Sequence, residues 1–265
     1  MNRAERRRQG KDDEKTVAGG LDVVGRNGAE VVALMRVLLE RARESQKART
    51  VRPLMTFLHA NIGNAALRVA SVRVACGKGC AHCCNSWVSV IAPEAIHVVS
   101  ALGEKRAGAE ARVQAALVQT RGRTHQERGR MVASCPLLED GACTVYRDRP
   151  LTCRTAASLD AAACERAYIQ QSGESVPIPS VFPRMRLGYS LALSGALRQA
   201  GLAHAPCEFH AALERVMTTP ECEAQWLAGA DIFAGLPQDP AGDPFQLREN
   251  RALYETAFGQ TELAG

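Results

Sequence analysis

The stretch CGKGCAHCC at residues 76–84 constrains this chain more than any other, because it sets Cys76, Cys80, Cys83 and Cys84 beside the imidazole of His82 in one short loop. Short gaps let several thiolates converge on one centre, and Gly77 and Gly79 supply the backbone freedom that such wrapping needs. A second group, Cys135, Cys143 and Cys153, follows downstream. Its first part reads as a hairpin: CPLL, a turn at Glu139-Asp140-Gly141, then ACTVY, which predicts Cys135 and Cys143 close together across the turn. Two loops meeting around metal is the reading the spacing favours. Adjacent cysteines direct their side chains differently, so Cys83 and Cys84 are expected to face two centres, or one of them to stand behind the other. Zinc and iron-sulfur clusters both accept four thiolates, and seven cysteines divide as four plus three. An eighth ligand would come from Cys164, His82, water or a substrate.

The compartment decides between metal and disulfide. The first residues, MNRAERRRQGKDDEK, contain no apolar core of the signal-peptide kind, and no window is apolar enough to span a bilayer, so a soluble cytoplasmic protein is expected. Ten cysteines in a reducing cytoplasm are better explained by metal or redox chemistry than by cross-links. The chain is long enough, at 265 residues and 46% apolar, to bury a core of its own, so metal is expected to organise one region rather than to supply the whole stability.

Periodicity predicts a mainly α protein with a small, irregular, hairpin-containing cysteine-rich metal module and little strand. Residues 1–20 read as a disordered polar tail, 21–72 as N-terminal helices, 73–170 as the cysteine-cluster domain and 171–265 as a C-terminal helical extension. Asn27 and Glu30 form a capping-box pattern before the apolar stripe Val31, Leu34, Met35, Leu38 and Leu39. Pro53 opens a second helix through Leu54, Leu58, Ile62 and Val69. A short strand is expected around residues 87–91, then a helix opened by Pro93, then an amphipathic stretch from Ala109 to Met131. Residues 172–184 read as a loop. Helices are expected over 185–200, closed by Gly201, over 207–217, opened by Pro206, and near 224–233, followed by a loosely packed tail.

With both blocks in view, Cys76 to Cys84 followed by CPLLEDGACTVYRDRPLTCR resembles the zinc- or iron-chelating cysteine-cluster family of the YkgJ type. That family shows a tight cysteine quartet ending in a Cys-Cys pair, a Cys-Pro hairpin, a Cys-x-Val/Ile-Tyr step and an Arg-Pro-x-x-Cys-Arg ending. The resemblance covers residues 73–160, with Tyr146, Arg149, Pro150 and Arg154 matched beside the cysteines. It departs where three residues instead of two separate Cys76 and Cys80. It implies metal ligation by Cys76, Cys80, Cys83, Cys84, Cys135, Cys143 and Cys153, with an iron-sulfur cluster or zinc as cofactor. The flagellin lysine-N-methylases are similar in cysteine pattern, which brings methyl transfer among the functions to weigh.

Other signals carry less. Cys207, His210 and Cys222 lie in or beside an apolar helical stripe and are read as structural. The arginine run over residues 121–130 has no interleaved aromatics and reads as a solvated face, and the cysteine spacing gives neither a zinc ribbon nor a Cys2His2 finger, so a nucleic-acid partner is not expected. Arg147, Arg149 and Arg154 are placed to offset thiolate charge. The expectation is a cytoplasmic metal-binding protein with a redox, metal-handling or methyl-transfer role and an unidentified protein or small-molecule partner. The competing expectation is a structural zinc module in a helical interaction domain.

Overall fold

The computed structural model describes residues 28–45, 50–77 and 79–258. The capping residue Asn27 lies outside them. The fold is mainly helical, with two small antiparallel sheets of two strands each. Helix α1 (Gly28–Glu44) buries Val31, Val32, Met35 and Leu39, and α2 (Arg52–Arg68) buries Leu54, Met55, Leu58 and Ile62. These stripes recur at helical spacing, which is why both segments fold as amphipathic helices.

Strand β1 (Ser89–Val90) leads into α3 (Ala92–Ala101), which is buried on nearly every side. Pro93 sits in the first turn of α3, where a missing N–H costs nothing. The amphipathic stretch predicted from 109 to 131 is two helices: α4 (Arg106–Thr120) and the short α5 (His125–Arg128). The break falls at Gly122, whose φ of +73° an L side chain rarely adopts, and Thr124 then caps α5 by accepting from the Glu127 N–H.

The predicted hairpin is present, with β2 (Leu138–Glu139) pairing with β3 (Ala142–Cys143). Asp140 and Gly141 both take left-handed φ, 48° and 73°, as a two-residue turn with strand twist requires. After the short α6 (Leu151–Arg154) comes α7 (Ala161–Tyr168), a helix that the periodicity does not announce; Asp160 caps it by accepting from the N–H groups of Ala162 and Ala163. Helix α8 (Val181–Gln199) starts earlier than predicted and stops before Gly201, at φ +65°.

Strand β4 (Cys207–Glu208) pairs with β1, so the helix expected from Cys207 begins as α9 (Phe209–Thr218). Next comes α10 (Cys222–Leu227), and then α11 (Arg248–Phe258) where a loose tail was expected. Tyr254 and Phe258 of α11 are buried and stacked with ring centroids 5.2 Å apart, and α11 packs on α1 and α8. One apolar core therefore runs from Val31 to Phe258. No helix among the described residues is long and apolar enough to cross a membrane.

Candidate metal centre

The loop of residues 76–86 is wound by its own backbone. Cys80 N–H donates to Gly77 O (3.1 Å), Cys84 N–H to Ala81 O (3.0 Å), and both Ser86 N–H and Ser86 Oγ to Cys83 O. Gly79 takes φ +86°. His82 to Asn85 make one 3-10 turn, which carries the Cys83-Cys84 pair, and α7 packs against this turn.

A single backbone bond, from Cys135 N–H to Cys84 O (2.8 Å), joins the first cysteine block to the second, and Ser134 Oγ donates to Asn85 Oδ1 (2.8 Å) beside it. Cys143 sits on β3, held by the hairpin and by Thr144 N–H donating to Leu137 O. Cys153 lies on α6, opened by Pro150. The first N–H of that helix, from Leu151, is taken by Glu94 Oε1 of α3 at 2.7 Å. Cys76 is tied at its sulfur, which accepts from Ser158 N–H at 3.3 Å.

All ten cysteines are free thiols. Their mutual influence maps the arrangement. The Cys83 and Cys84 thiols hydrogen-bond each other, and this contact, with burial, raises Cys83 far above the ordinary thiol range. Cys153 is raised by burial and then by Cys135, Cys83 and Cys143; Cys135 is pushed up to about 12 by burial, with Cys143 adding to the shift. Cys76 is raised by burial and by Cys80, Cys83 and Cys164. The thiols of both blocks thus lie within electrostatic reach of one another through Cys83, which influences Cys76 on one side and Cys153 on the other, with Cys80 and Cys164 acting on Cys76 and with Cys135 and Cys143 acting on Cys153. Cys164, considered from the sequence only as a candidate eighth ligand, is buried on α7 and faces this array.

Of the three arginines beside the second block, Arg149 serves the sulfurs. It favours the charged form of Cys83, Cys143 and Cys153, and its guanidinium is fixed over the Tyr146 ring at 3.7 Å while its Nε donates to Tyr146 O. Arg154 turns away, donating from Nη2 to His59 Nδ1 (3.0 Å). Arg147 is exposed.

The sequence reading missed a group behind the array: His59 on α2, His97 on α3 and Asp148, with His97 Nε2 3.0 Å from Asp148 Oδ1. Among the described residues these three supply the one set of His, Cys, Asp or Glu ligand atoms lying within 4.8 Å of one another, so the thiols are spread more widely than a closed nest. Burial holds His59 down at about 3, and Arg154 occupies its Nδ1, so this group reads as a brace that ties α2 and α3 to the segment between Cys143 and Cys153. Cys207, His210 and Cys222 lie in the apolar core; His210 is held down at about 3 by burial and approaches Thr120 Oγ1 at 3.4 Å.

The donor set suits a thiophilic metal. Neutral buried thiols repel one another once ionised, and a divalent or cluster iron centre is the partner that reverses that penalty. Where the array faces solvent, Cys76 and Cys80 are exposed and border a cavity of about 890 Å³. Comparison with curated proteins and with solved structures returns no match. Residues 75–173, which contain the whole array, match the model of the CxxCxxCC family, whose description reads "Putative zinc- or iron-chelating domain".

Proposed function

We propose that the chain is a cytoplasmic iron-sulfur protein in which Cys76, Cys80, Cys83, Cys84, Cys135, Cys143 and Cys153 hold the metal, with Cys164 as the eighth thiol, and in which the centre serves chemistry rather than folding. The observation that carries this reading is the cavity lined by Cys76, Cys80, Cys83 and Cys164, next to a second cysteine block that the Cys135 N–H to Cys84 O bond joins to the first. A closed structural zinc site needs four sulfurs about 3.8 Å apart, set by bonds of about 2.3 Å at tetrahedral angles. No three thiols among the described residues lie within 4.8 Å of one another, which suits a centre of several irons better. The structural zinc module is disfavoured on a second ground. A helical core running from Val31 to Phe258 does not depend on metal for its burial.

When bound, an iron-sulfur cluster supplies one-electron transfer, and a Lewis-acidic iron wherever a ligand position is open. The residues of this chain do the rest. Arg149 offsets the thiolate charge, Glu94 orients the helix that bears Cys153, and the cavity beside Cys76 and Cys80 gives a small molecule access. Ten free thiols fit a reducing compartment. The test is anaerobic purification from cells supplied with iron, with iron, sulfide and zinc quantified together and the reduced protein examined by electron paramagnetic resonance. The expected product is brown, with iron and acid-labile sulfide in near-equal amounts. A colourless protein with stoichiometric zinc and no sulfide overturns the proposal.

A further inference from the structure

The arginine run over residues 121–130 reads from sequence as a solvated face. Arg128 departs from that reading. It is 1% exposed, and none of its three guanidinium nitrogens has a hydrogen-bond partner. A buried guanidinium offers five N–H donors and carries a fixed charge, so leaving it unpaired is strongly unfavourable. Arg128 lines the same cavity of about 890 Å³ that Cys76, Cys80, Cys83 and Cys164 border.

The groups facing Arg128 offset its charge incompletely. Glu208, at the start of α9, spends Oε2 on the Ala211 N–H (2.8 Å), and its Oε1, 3.9 Å from His210 Nδ1, makes no hydrogen bond to Arg128 or to any other group. Burial also raises the Glu208 carboxyl, which favours its neutral form. Cys135 is within electrostatic reach but donates and accepts nothing with Arg128. Along the cavity wall Arg130 and Arg186 are exposed, and the one acidic residue there, Glu174, is already taken by Arg166 at 2.6 and 2.9 Å. The lining is therefore cationic at one place and thiol-bearing at another.

We infer that this cavity binds a small molecule through a carboxylate or phosphate oxyanion held by Arg128, with the rest of the molecule against the thiols of Cys76, Cys80 and Cys164. This deepens the metal-centre reading and rests on it only for what the bound molecule meets. A planar guanidinium presents paired N–H donors that match two oxygens of either group, and a cavity of this volume accommodates a metabolite-sized ligand.

The experiment is calorimetric titration at low salt of inorganic phosphate and, separately, succinate into the metal-loaded protein, with metal content measured on the same samples. The variants are Arg128→Met, Arg128→Lys and Ala156→Trp, the last filling the cavity from an exposed wall position. One of the two anions is expected to bind with one site per chain, at least tenfold more weakly to Arg128→Met and to Ala156→Trp, with partial recovery in Arg128→Lys. Phosphate or succinate as the stronger binder tells which oxyanion the site prefers. Binding of neither to wild type, or equal affinity in wild type and both Arg128→Met and Ala156→Trp, overturns the inference; where Arg128→Met does not fold, Ala156→Trp decides. Loss of metal from Arg128→Met with anion affinity intact in Ala156→Trp would assign Arg128 to the thiolates and also overturn it. Anion binding that needs Arg128 in protein that takes up no metal leaves this inference standing while the metal-centre reading fails.

Discussion

Glu94→Ala separates the role of the scaffold from that of the thiols. Glu94 is 5% exposed on α3, and its two oxygens take the N–H of Ile91 at 3.1 Å and of Leu151 at 2.7 Å. Removing both acceptors orphans two buried donors at about 1–3 kcal/mol each, partly offset by no longer burying an ionisable group. A net loss of about 2–4 kcal/mol follows. Glu94→Gln keeps one acceptor and should lose less. The pH dependence has a definite sign. Burial raises the Glu94 carboxyl from 4.5 to about 7. An acid raised on folding contributes stability that is complete below its unfolded value and lost as pH rises through its folded one. Wild type should therefore lose about 3 kcal/mol from this group between about pH 4.5 and 8, a window that Glu94→Gln lacks. Urea unfolding followed by far-ultraviolet circular dichroism across that range measures both effects. Parallel pH profiles for wild type and Glu94→Gln, or a loss under about 1 kcal/mol in Glu94→Ala, would refute the assignment of Glu94 as the tie between α3 and α6.

Cys153→Ser should bind measurably less metal per chain than wild type, whereas Cys207→Ser, in a buried strand outside the array, should bind the same amount; metal analysis after gel filtration compares them, and equal loss in both would mean that the array is not the binding site. Gly195→Ala should lower stability by about 1–3 kcal/mol in the same urea assay, because a methyl group there would overlap the Tyr254 ring where α11 crosses α8. An unchanged midpoint would show that α11 is not docked as described.

What was legible in the sequence was local. Both cysteine blocks, the Asp140-Gly141 turn and the stripes of α1 and α2 are set by neighbours within a few positions, so spacing alone reveals them. The contacts that shape the site join distant segments. Pairing of β1 with β4 brings Val90 opposite Cys207, and nothing near either residue announces it. Arg128 looked like its exposed neighbours because burial of one position in a charged run depends on what packs over it. Two omissions had signals. Asp160 before an alanine-rich run is a helix cap, and it would have placed Cys164 on a helix; Tyr254 and Phe258, four residues apart, mark a buried face on what was read as a loose tail.

Each thiol of the array is positioned by a different part of the scaffold. Cys153 depends on Glu94 and on α6 packing against α8, Cys135 on its bond to Cys84 O, and Cys164 on α7 docked against the 3-10 turn. Cys76 is held through Ser158, and the loop at Cys80 by the single turn closed on Gly77 O. The thiols on the Cys135 side are therefore anchored to the apolar core, while Cys76 and Cys80 are exposed and, among the described residues, are held by bonds within loops. Exchange of a ligand costs least where the fewest core contacts must move. The cavity is bordered by Cys76 and Cys80 and by Arg128, whose electrostatic neighbour among the thiols is Cys135, so a molecule that reaches from Arg128 into the cavity would extend from the anchored side of the array toward its least constrained thiols.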